Sequence, residues 1–156
     1  MLIGVLGDSH HQEKLIDKCI RKLNKVNIII HTGDMISDAQ YITSKYNIPV
    51  IGVAGNCDDY GAGNEEIIYN INSHKILVCH GHNYGVKHSL ENLYNRGKEA
   101  GVSLVIFGHT HVPYYENRNN IHILNPGSIA FPRGFSCRCC AVVEIDEIIT
   151  IKHVEL

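Results

Sequence analysis

Hydrophobic residues along this chain are concentrated in short runs, and five of these runs end at a polar cluster that contains glycine. The runs cover residues 2–6, 28–30, 50–53, 76–79 and 104–107. A short apolar run bounded by turn-forming residues is typical of a fully buried strand. The pattern therefore predicts five buried strands, each followed at its carboxyl end by polar side chains.

The remaining segments predict helices in the first two thirds of the chain and mainly strands after them. Residues 12–25 and 86–101 show helical spacing of apolar positions, and Ser37 is expected to cap a helix that runs to Tyr46. Further strands are predicted at residues 65–71, 113–117, 121–124, 139–146 and 148–154. We therefore expect the α/β class, with a two-sheet β-sandwich flanked by helices in a single domain over residues 1–156.

The polar clusters after the five runs contain the residue types that bind divalent cations. They are Gly7-Asp8-Ser9-His10, Gly33-Asp34, Gly55-Asn56-Cys57-Asp58, His80-Gly81-His82 and Gly108-His109-Thr110-His111. Ligands bind outside the carboxyl ends of strands in open α/β sheets, so these clusters are expected to converge. Asp, Asn and His all hold divalent metals. The sequence therefore predicts the ligand set of a two-metal hydrolase.

Histidine is the compositional anomaly, with eleven copies in 156 residues. An isolated histidine is most often a surface residue or a hydrogen-bonded core residue. His10, His80, His109 and His111 differ because each belongs to one of the clusters, and we interpret these four as metal ligands. No cysteine belongs to the set, which argues against a structural zinc site.

Charge and composition narrow the function classes. The formal net charge is −2 and the pI about 6.6, so no basic face for long nucleic acids is expected. The first run is too short for a signal peptide or a membrane span, and we predict a cytoplasmic protein without a membrane partner. Six cysteines should then be mostly reduced. The oligomeric state stays open, and a homo-oligomer is compatible with these observations.

The five clusters, in this order, resemble the motifs of the calcineurin-like metallophosphoesterases. The resemblance runs from Met1 to about Pro132. Small size, Cys57 directly after Asn56, and Asn125-Pro126-Gly127-Ser128 resemble the compact single-domain phosphodiesterases of that superfamily. The resemblance implies a two-sheet α/β sandwich. It also implies hydrolysis by a metal-bridging hydroxide that attacks phosphorus in line.

The resemblance assigns the ligands of two metal ions position by position. The first ion would be held by Asp8, His10 and His111, the second by Asn56, His80 and His109, and Asp34 would bridge the two. Asp34, Asn56 and His80 would thereby act in catalysis as well. Manganese is the first choice of metal, partly because the resemblance implies it. Iron, cobalt, nickel and zinc also suit mixed nitrogen and oxygen ligands.

The charge of such a site suits a phosphodiester. Two divalent ions about 3.5–4 Å apart can share a hydroxide and hold the phosphoryl oxygens. The carboxylates of Asp8 and Asp34 and the hydroxide offset three of the four positive charges. The remaining charge matches a phosphodiester monoanion, and neutral ligands such as Asn56 and His80 preserve it.

Several residues beside the clusters have a functional and a structural interpretation. His82 and Cys57 are candidate substrate-binding residues, and packing under its loop explains Cys57 equally well. His11 and His31 are assigned to packing or to contacts that support the ligands. The acidic pair Asp58-Asp59 is interpreted as solvating its loop.

The same question arises for two groups of residues in the last third of the chain. Asn125, Ser128 and Arg133 could reach a phosphate from their loop, and turn formation explains the 125–128 segment equally well. Cys137, Cys139 and Cys140 lack a partner pair with metal-ligand spacing, so we interpret them as core or strand residues.

Three function classes compete at this point. The leading hypothesis is a metal-dependent phosphodiesterase acting on a small phosphodiester. The second is a protein-interaction scaffold of the same fold, since the small retromer subunit has a partly decayed site, whereas all seven ligand positions are filled here. The third is a nuclease for long DNA or RNA, which the acidic balance and small size argue against.

Overall fold

The computed structural model describes residues 1–156 and contains ten strands in two five-stranded sheets, with three α-helices. The strands are β1 (Leu2–Leu6), β2 (Ile28–His31), β3 (Val50–Gly52), β4 (Glu66–Ile71), β5 (His74–Cys79), β6 (Leu104–Ile106), β7 (Pro113–Arg118), β8 (Ile121–Pro126), β9 (Cys139–Ile145) and β10 (Ile149–Glu155). The helices are α1 (Glu13–Lys22), α2 (Ser37–Tyr46) and α3 (Glu91–Ala100), and His82–Tyr84 forms a short 3₁₀ turn.

Each sheet combines parallel and antiparallel pairs. The first has the order β10-β9-β1-β2-β3, in which β1, β2 and β3 are parallel. The second has the order β4-β5-β6-β8-β7, in which β5, β6 and β8 are parallel. The predicted α/β class and the two-sheet sandwich flanked by helices are therefore confirmed.

The hydrophobic core forms three layers because side chains alternate across each strand. Ile3 and Val5 of β1 lie in the layer between the two sheets, while Leu6 packs with residues of α1 and α2. A third layer joins the second sheet to α3 through residues such as Leu93 and Val105. This layering explains why the central strands read as continuous apolar runs: both of their faces are covered. None of the three helices has the length and apolarity needed to cross a lipid bilayer.

The third helix begins later than the sequence pattern predicts. Residues 86–90 form turns, and α3 starts at Glu91, whose backbone N–H donates to the Ser89 hydroxyl at 3.1 Å. The buried side chain of Val86 belongs to the same core layer as Leu93, and this spacing imitates a helical period. The first helix is also shorter than predicted, because Lys25 has a φ of 70° and cannot continue it.

The start of the second helix differs from the prediction in its polar contacts. Ser37 is the first helical residue and makes no capping hydrogen bond, so its predicted role is wrong. The carboxylate of Asp58 instead accepts hydrogen bonds from the backbone N–H groups of Met35 (3.2 Å), Ile36 (2.7 Å) and Gly55 (2.7 Å). Asp58 thus ties the loop after β3 to the turn before α2, and its interpretation as loop solvation is also wrong.

Candidate metal centre

The loops after five strands of the two sheets meet at one edge of the sandwich. The loops that follow β1, β2 and β3 come from the first sheet, and those that follow β5 and β6 come from the second. A cavity of about 190 Å³ lies between them. Its lining residues are His10, Asp34, Asn56, Cys57, Lys87, His109, His111, Phe131 and Arg133. The predicted convergence of the polar clusters is therefore present in the fold.

One half of this centre contains four candidate ligands. Asp8, His10, Asp34 and His111 each place a ligand atom within 4.8 Å of the others. His111 Nε2 lies 3.3 Å from Asp8 Oδ1, and His10 Nε2 lies 3.6 Å from Asp34 Oδ2. Both carboxylate oxygens of Asp8 and Nε2 of His10 are buried without a hydrogen-bond partner. Buried polar atoms require a partner, and a cation would satisfy these three.

The other half is built around the second oxygen of Asp34. Asp34 Oδ1 lies 3.3 Å from His80 Nε2, whereas Asp34 Oδ2 faces His10. His80 Nε2 in turn lies 3.2 Å from Asn56 Oδ1 and 3.1 Å from His109 Nδ1. Asp34 is therefore the residue shared by the two groups of ligands, with one oxygen on each.

Two of the histidines are oriented by backbone carbonyl groups. His80 Nδ1 donates to the Thr32 carbonyl at 2.8 Å, and His111 Nδ1 donates to the Phe131 carbonyl at 2.6 Å. In a neutral imidazole the other nitrogen then carries a lone pair. In both residues this Nε2 points toward the carboxylates. A carbonyl partner on the distal nitrogen is typical of metal-bound histidine, so this donor set fits a metal.

The electrostatics of the centre favour ligand forms that bind metal, with one exception. Burial alone would raise the pKa of Asp34, but the electrostatic interaction with the nearby His80 ring and the hydrogen bond from the Cys57 backbone N–H (3.1 Å) lower it. Burial, His80 and Lys87 lower the pKa of His109 to about 4. Burial opposes protonation of His111, yet Asp8 raises its pKa overall. A metal at that position must therefore displace a proton.

Tight turns with left-handed backbone aim the ligands back toward the cavity. Five ligands have φ between 47° and 66°, namely Asp8, His10, Asp34, His109 and His111. Such values are uncommon for residues other than glycine and cluster at functional sites. The turns also need glycine for space, because a Cβ on Gly55 would lie 2.3 Å from Asp34 Oδ1.

A buried chain of hydrogen bonds supports the loops that carry Asp8, His10 and Asp34. The Gly33 backbone N–H donates to His31 Nδ1 (3.3 Å), so His31 Nε2–H donates to the Ser9 hydroxyl (2.8 Å). That hydroxyl donates to Asp38 Oδ2 (2.6 Å). His11 donates to Asp38 from the outside (3.0 Å), and its side chain is 60% exposed. His31 and His11 therefore lie behind the ligands, in the supporting position predicted for them.

The turn at residues 125–128 supports the site from the other sheet. Ser128 donates its hydroxyl hydrogen to the Asp8 carbonyl (2.9 Å), and the Asn125 amide donates to the Gly108 carbonyl (2.7 Å). Both side chains are fully buried. Of the two interpretations left open for this turn, the structure favours turn formation over phosphate binding.

The remaining candidates lie at different distances from the cavity. Cys57 and Arg133 line it, whereas His82 does not; its ring centre lies 5.4 Å from that of His80. Cys139 and Cys140 are buried in β9, as a core role requires, whereas Cys137 is exposed and precedes the strand, so the interpretation as a core or strand residue is wrong for Cys137.

Lys87 is a cavity residue to which the sequence assigned no role of its own, although specificity was expected from the loop at residues 84–88. It lies in the turns before α3, although the apolar pattern placed it on the polar face of a helix. Neither Lys87 nor Arg133 forms a salt bridge, so two unpaired cationic side chains face the cavity. Lys87 is not part of any sequence motif, so no signal in the sequence identified it as a cavity residue.

Comparison with known protein families shows the family to which this chain belongs. The calcineurin-like phosphoesterase superfamily domain matches residues 1–148. This chain belongs to that family. It is 34% identical over 134 residues to the probable metallophosphoesterase YsnB of Bacillus subtilis, which covers 85% of this chain and 78% of YsnB. It is 28% identical over 146 residues to phosphodiesterase MJ0936 of Methanocaldococcus jannaschii, which covers 81% and 83% of the two chains.

Solved structures of the family fold superpose on nearly the whole chain. A predicted phosphoesterase from Streptococcus pneumoniae has a TM-score of 0.84 and 28% identity, and covers 99% of this chain and 88% of its own. Wild-type Vps29 complexed with zinc, from Entamoeba histolytica, has a TM-score of 0.78 and 23% identity, with 99% and 98% covered. At that identity the second likeness shows the fold alone. The family is metal-dependent, and the ligand cluster described above agrees with that property.

Proposed function

We propose that this protein is a phosphodiesterase that hydrolyses a small phosphodiester with the help of two divalent metal ions, manganese being the expected metal. The observation that carries the proposal is the position of Asp34 between two groups of ligands, with Oδ2 near His10 and Oδ1 near His80. A carboxylate that presents one oxygen to each group is suited to bridge two ions. Family membership supports hydrolase activity in general.

The chain's own residues would hold the ions and bring the substrate to them. Asp8, His10 and His111 would hold one ion, and Asn56, His80 and His109 the other, with Asp34 shared. When bound, two such ions supply an activated water and stabilise the charge of an in-line displacement at phosphorus. Lys87 and Arg133, which line the cavity without salt-bridge partners, would attract the anionic phosphoryl group.

Two observations favour a diester over a monoester as the substrate: the net charge of the proposed metal centre and the name of a relative. Only two of the seven ligands, Asp8 and Asp34, are carboxylates, so two divalent ions leave a small positive excess that suits a singly charged anion. A relative with 28% identity is named a phosphodiesterase. A cytoplasmic location and the absence of a membrane partner remain predictions.

The two alternative functions have less support. A scaffold role is suggested by the likeness to Vps29, but that likeness concerns the fold. A scaffold has no need of unpaired buried acceptors such as those of Asp8. A nuclease for long nucleic acids is disfavoured by the formal charge of −2.

The decisive experiment is metal-dependent turnover. The purified protein would be stripped with a chelator, reloaded in turn with manganese, iron, cobalt, nickel or zinc, and assayed with bis(p-nitrophenyl) phosphate and p-nitrophenyl phosphate. We expect about two ions per chain by elemental analysis, activity restored best by manganese, and preference for the diester. Full activity in chelator, with no bound transition metal, would rule out the proposal. Cleavage of long oligonucleotides with a steep salt dependence would favour the nuclease instead.

A further inference from the structure

A second and larger cavity adjoins the metal cavity. It has a volume of about 460 Å³ and lies between residues 86–91 on one side and Phe107, Thr110 and Tyr114 on the other. Lys87 lines both cavities. Thr110 directly follows His109, a candidate ligand that lines the metal cavity. The two cavities therefore meet at Lys87 and at the peptide that joins His109 to Thr110. We refer to the larger cavity as the arm groove.

The sizes of the two cavities suggest how a diester would be divided between them. The metal cavity, about 190 Å³, has room for a phosphoryl group and little more. Sites for small organic molecules usually occupy about 300–1,000 Å³, a range that includes the arm groove. If the phosphorus of a phosphodiester lies at the metal centre, any bulky ester arm has to lie outside the metal cavity. The arm groove begins where the two cavities meet, at Lys87.

The lining of the arm groove indicates the chemistry of the arm. Its floor is apolar, with Phe107 and Val86 buried and Tyr114 half-buried. Ser89 and Thr110, whose side chains carry hydroxyl groups, also line it. An arm with apolar faces and a hydrogen-bonding rim would match both features.

One wall of the groove is charged. It is formed by an ion pair between Arg118 Nη1 and Glu91 Oε1 at 2.5 Å. The Arg118 guanidinium also lies 4.8 Å from the centre of the Tyr94 ring. An acyl chain long enough to fill the groove would have to desolvate this pair, which is costly. A heterocycle can instead hydrogen-bond to it.

We infer that the arm groove binds one ester arm of the substrate and that this arm is a nucleoside. The inference rests on the proposed function, because the phosphorus must lie at the metal centre. It adds the substrate class, a phosphodiester with one nucleoside arm, and it assigns Lys87 to the junction between that arm and the phosphoryl group.

Two substrates with the same leaving group test the inference. They are the p-nitrophenyl ester of thymidine 5′-monophosphate and methyl p-nitrophenyl phosphate, which differ only in the arm. Ser89→Trp would fill the groove, and we expect it to raise KM for the thymidine substrate roughly tenfold, the scale of a lost pocket contact, with little change for the methyl substrate. Ser73→Trp, an equal change at an exposed turn remote from the groove, should leave both unchanged.

Two further variants separate the competing explanations. Ser89→Ala removes the hydrogen bond to the Glu91 N–H without filling the groove, so it should leave both KM values near wild type. Lys87→Met should raise KM for both substrates, because Lys87 faces the phosphoryl cavity as well. If Ser89→Trp changes the two substrates equally, or neither, the groove holds no arm, while the proposed function stands.

The binding of thymidine to the groove can also be measured directly, without any enzymatic turnover. Thymidine would be titrated into the labelled protein in zinc-containing buffer, and amide chemical shifts would be followed. We expect changes at residues 86–90 and 110–112, and their loss in Ser89→Trp. Shifts elsewhere, or none at millimolar thymidine, would overturn the assignment of the groove. If neither substrate is hydrolysed with any metal, the proposed function fails first, and the groove is then no substrate site even if it binds thymidine.

Discussion

At the scale of single residues, Asp34 has the strictest geometric role, because each of its carboxylate oxygens faces a different group of ligands. Asp34→Asn would keep the shape but remove the charge and one acceptor oxygen. We expect turnover to fall at least a hundredfold, since changes to groups that merely support metal ligands already cost about 10–100-fold. His11→Ala removes only an exposed partner of Asp38 and should cost less than a few-fold. Steady-state kinetics with manganese, and circular dichroism for folding, would measure both. Equal losses in two folded variants would show that the bridging assignment is wrong.

Cys57, directly after the candidate ligand Asn56, places a thiol rather than an imidazole beside the metal centre. The thiol lines the metal cavity, and partial desolvation together with the carboxylate of Asp34 raises its pKa. General acids work best with a pKa near the working pH, and histidine is closer to it than such a thiol. We therefore expect a preference for good leaving groups such as p-nitrophenolate over alkoxides.

Replacement of the thiol provides the test of that expectation. Cys57→His should raise turnover of alkyl phosphodiesters several-fold more than turnover of aryl ones, with metal content unchanged. Cys57→Ala serves as the control for space. If Cys57→His changes both substrate classes by the same factor, the residue has a packing role and contributes nothing to leaving-group protonation.

At the scale of elements, α1 and α2 are joined by a polar contact that depends on pH. Asp17 on α1 accepts hydrogen bonds from Tyr41 (3.0 Å), Tyr46 (2.6 Å) and Lys45 (2.8 Å) on α2. The bonds from Lys45 and Tyr46 lower the Asp17 pKa from 3.8 to about 2. Because the folded-state pKa lies below the unfolded value, this contact stabilises the fold fully above about pH 4 and loses its effect as pH falls toward 2.

Asp17→Asn should therefore lower the free energy of unfolding at pH 7, and the difference from wild type should vanish near pH 2. Urea unfolding followed by circular dichroism at several pH values would measure it. Asp59→Asn, which alters an exposed carboxylate without a side-chain hydrogen bond, should have no such effect. A destabilisation that is constant from pH 7 to pH 2 would mean that the charge of Asp17 is irrelevant.

At the scale of the whole molecule, the fold was predictable because its central strands are covered on both faces. Val5, Ile30 and Val78 belong to short apolar runs that are typical of buried strands, and the polar clusters follow closely in sequence. The start of α3 was not predictable, because Val86 packs in the same core layer as Leu93 without being helical.

Contacts between distant segments of the chain set the limit of prediction for the site. Asp58 holds the N–H groups of Met35 and Ile36, 22 or more residues away in sequence. Lys87 reaches the metal cavity only because the turns before α3 pack beside the loop that carries His109. The candidate ligands needed no such knowledge, because each belongs to a polar cluster that closely follows one of five strands. A contact between residues from the two sheets cannot be predicted from the sequence without knowing how the sheets pack together.

Metal binding should stabilise the whole molecule, because the candidate ligands come from loops of both sheets. Asp8, Asp34 and Asn56 follow strands of the first sheet, and His80 and His109 follow strands of the second. A ligand that binds only the folded state stabilises it by about 2.7 kcal/mol at a hundred times its Kd, which corresponds to a Tm increase of roughly 5–10 °C for a chain of this size. Manganese should produce this increase in wild type and in Asp59→Asn, and Asp34→Asn should lose most of it. Hydrogen exchange should slow at residues 7–10 and at residues 108–111 together, since one centre would hold both loops. Slowing in one sheet alone, with a smaller rise in Tm, would indicate a metal site that joins fewer loops than the seven-ligand assignment requires.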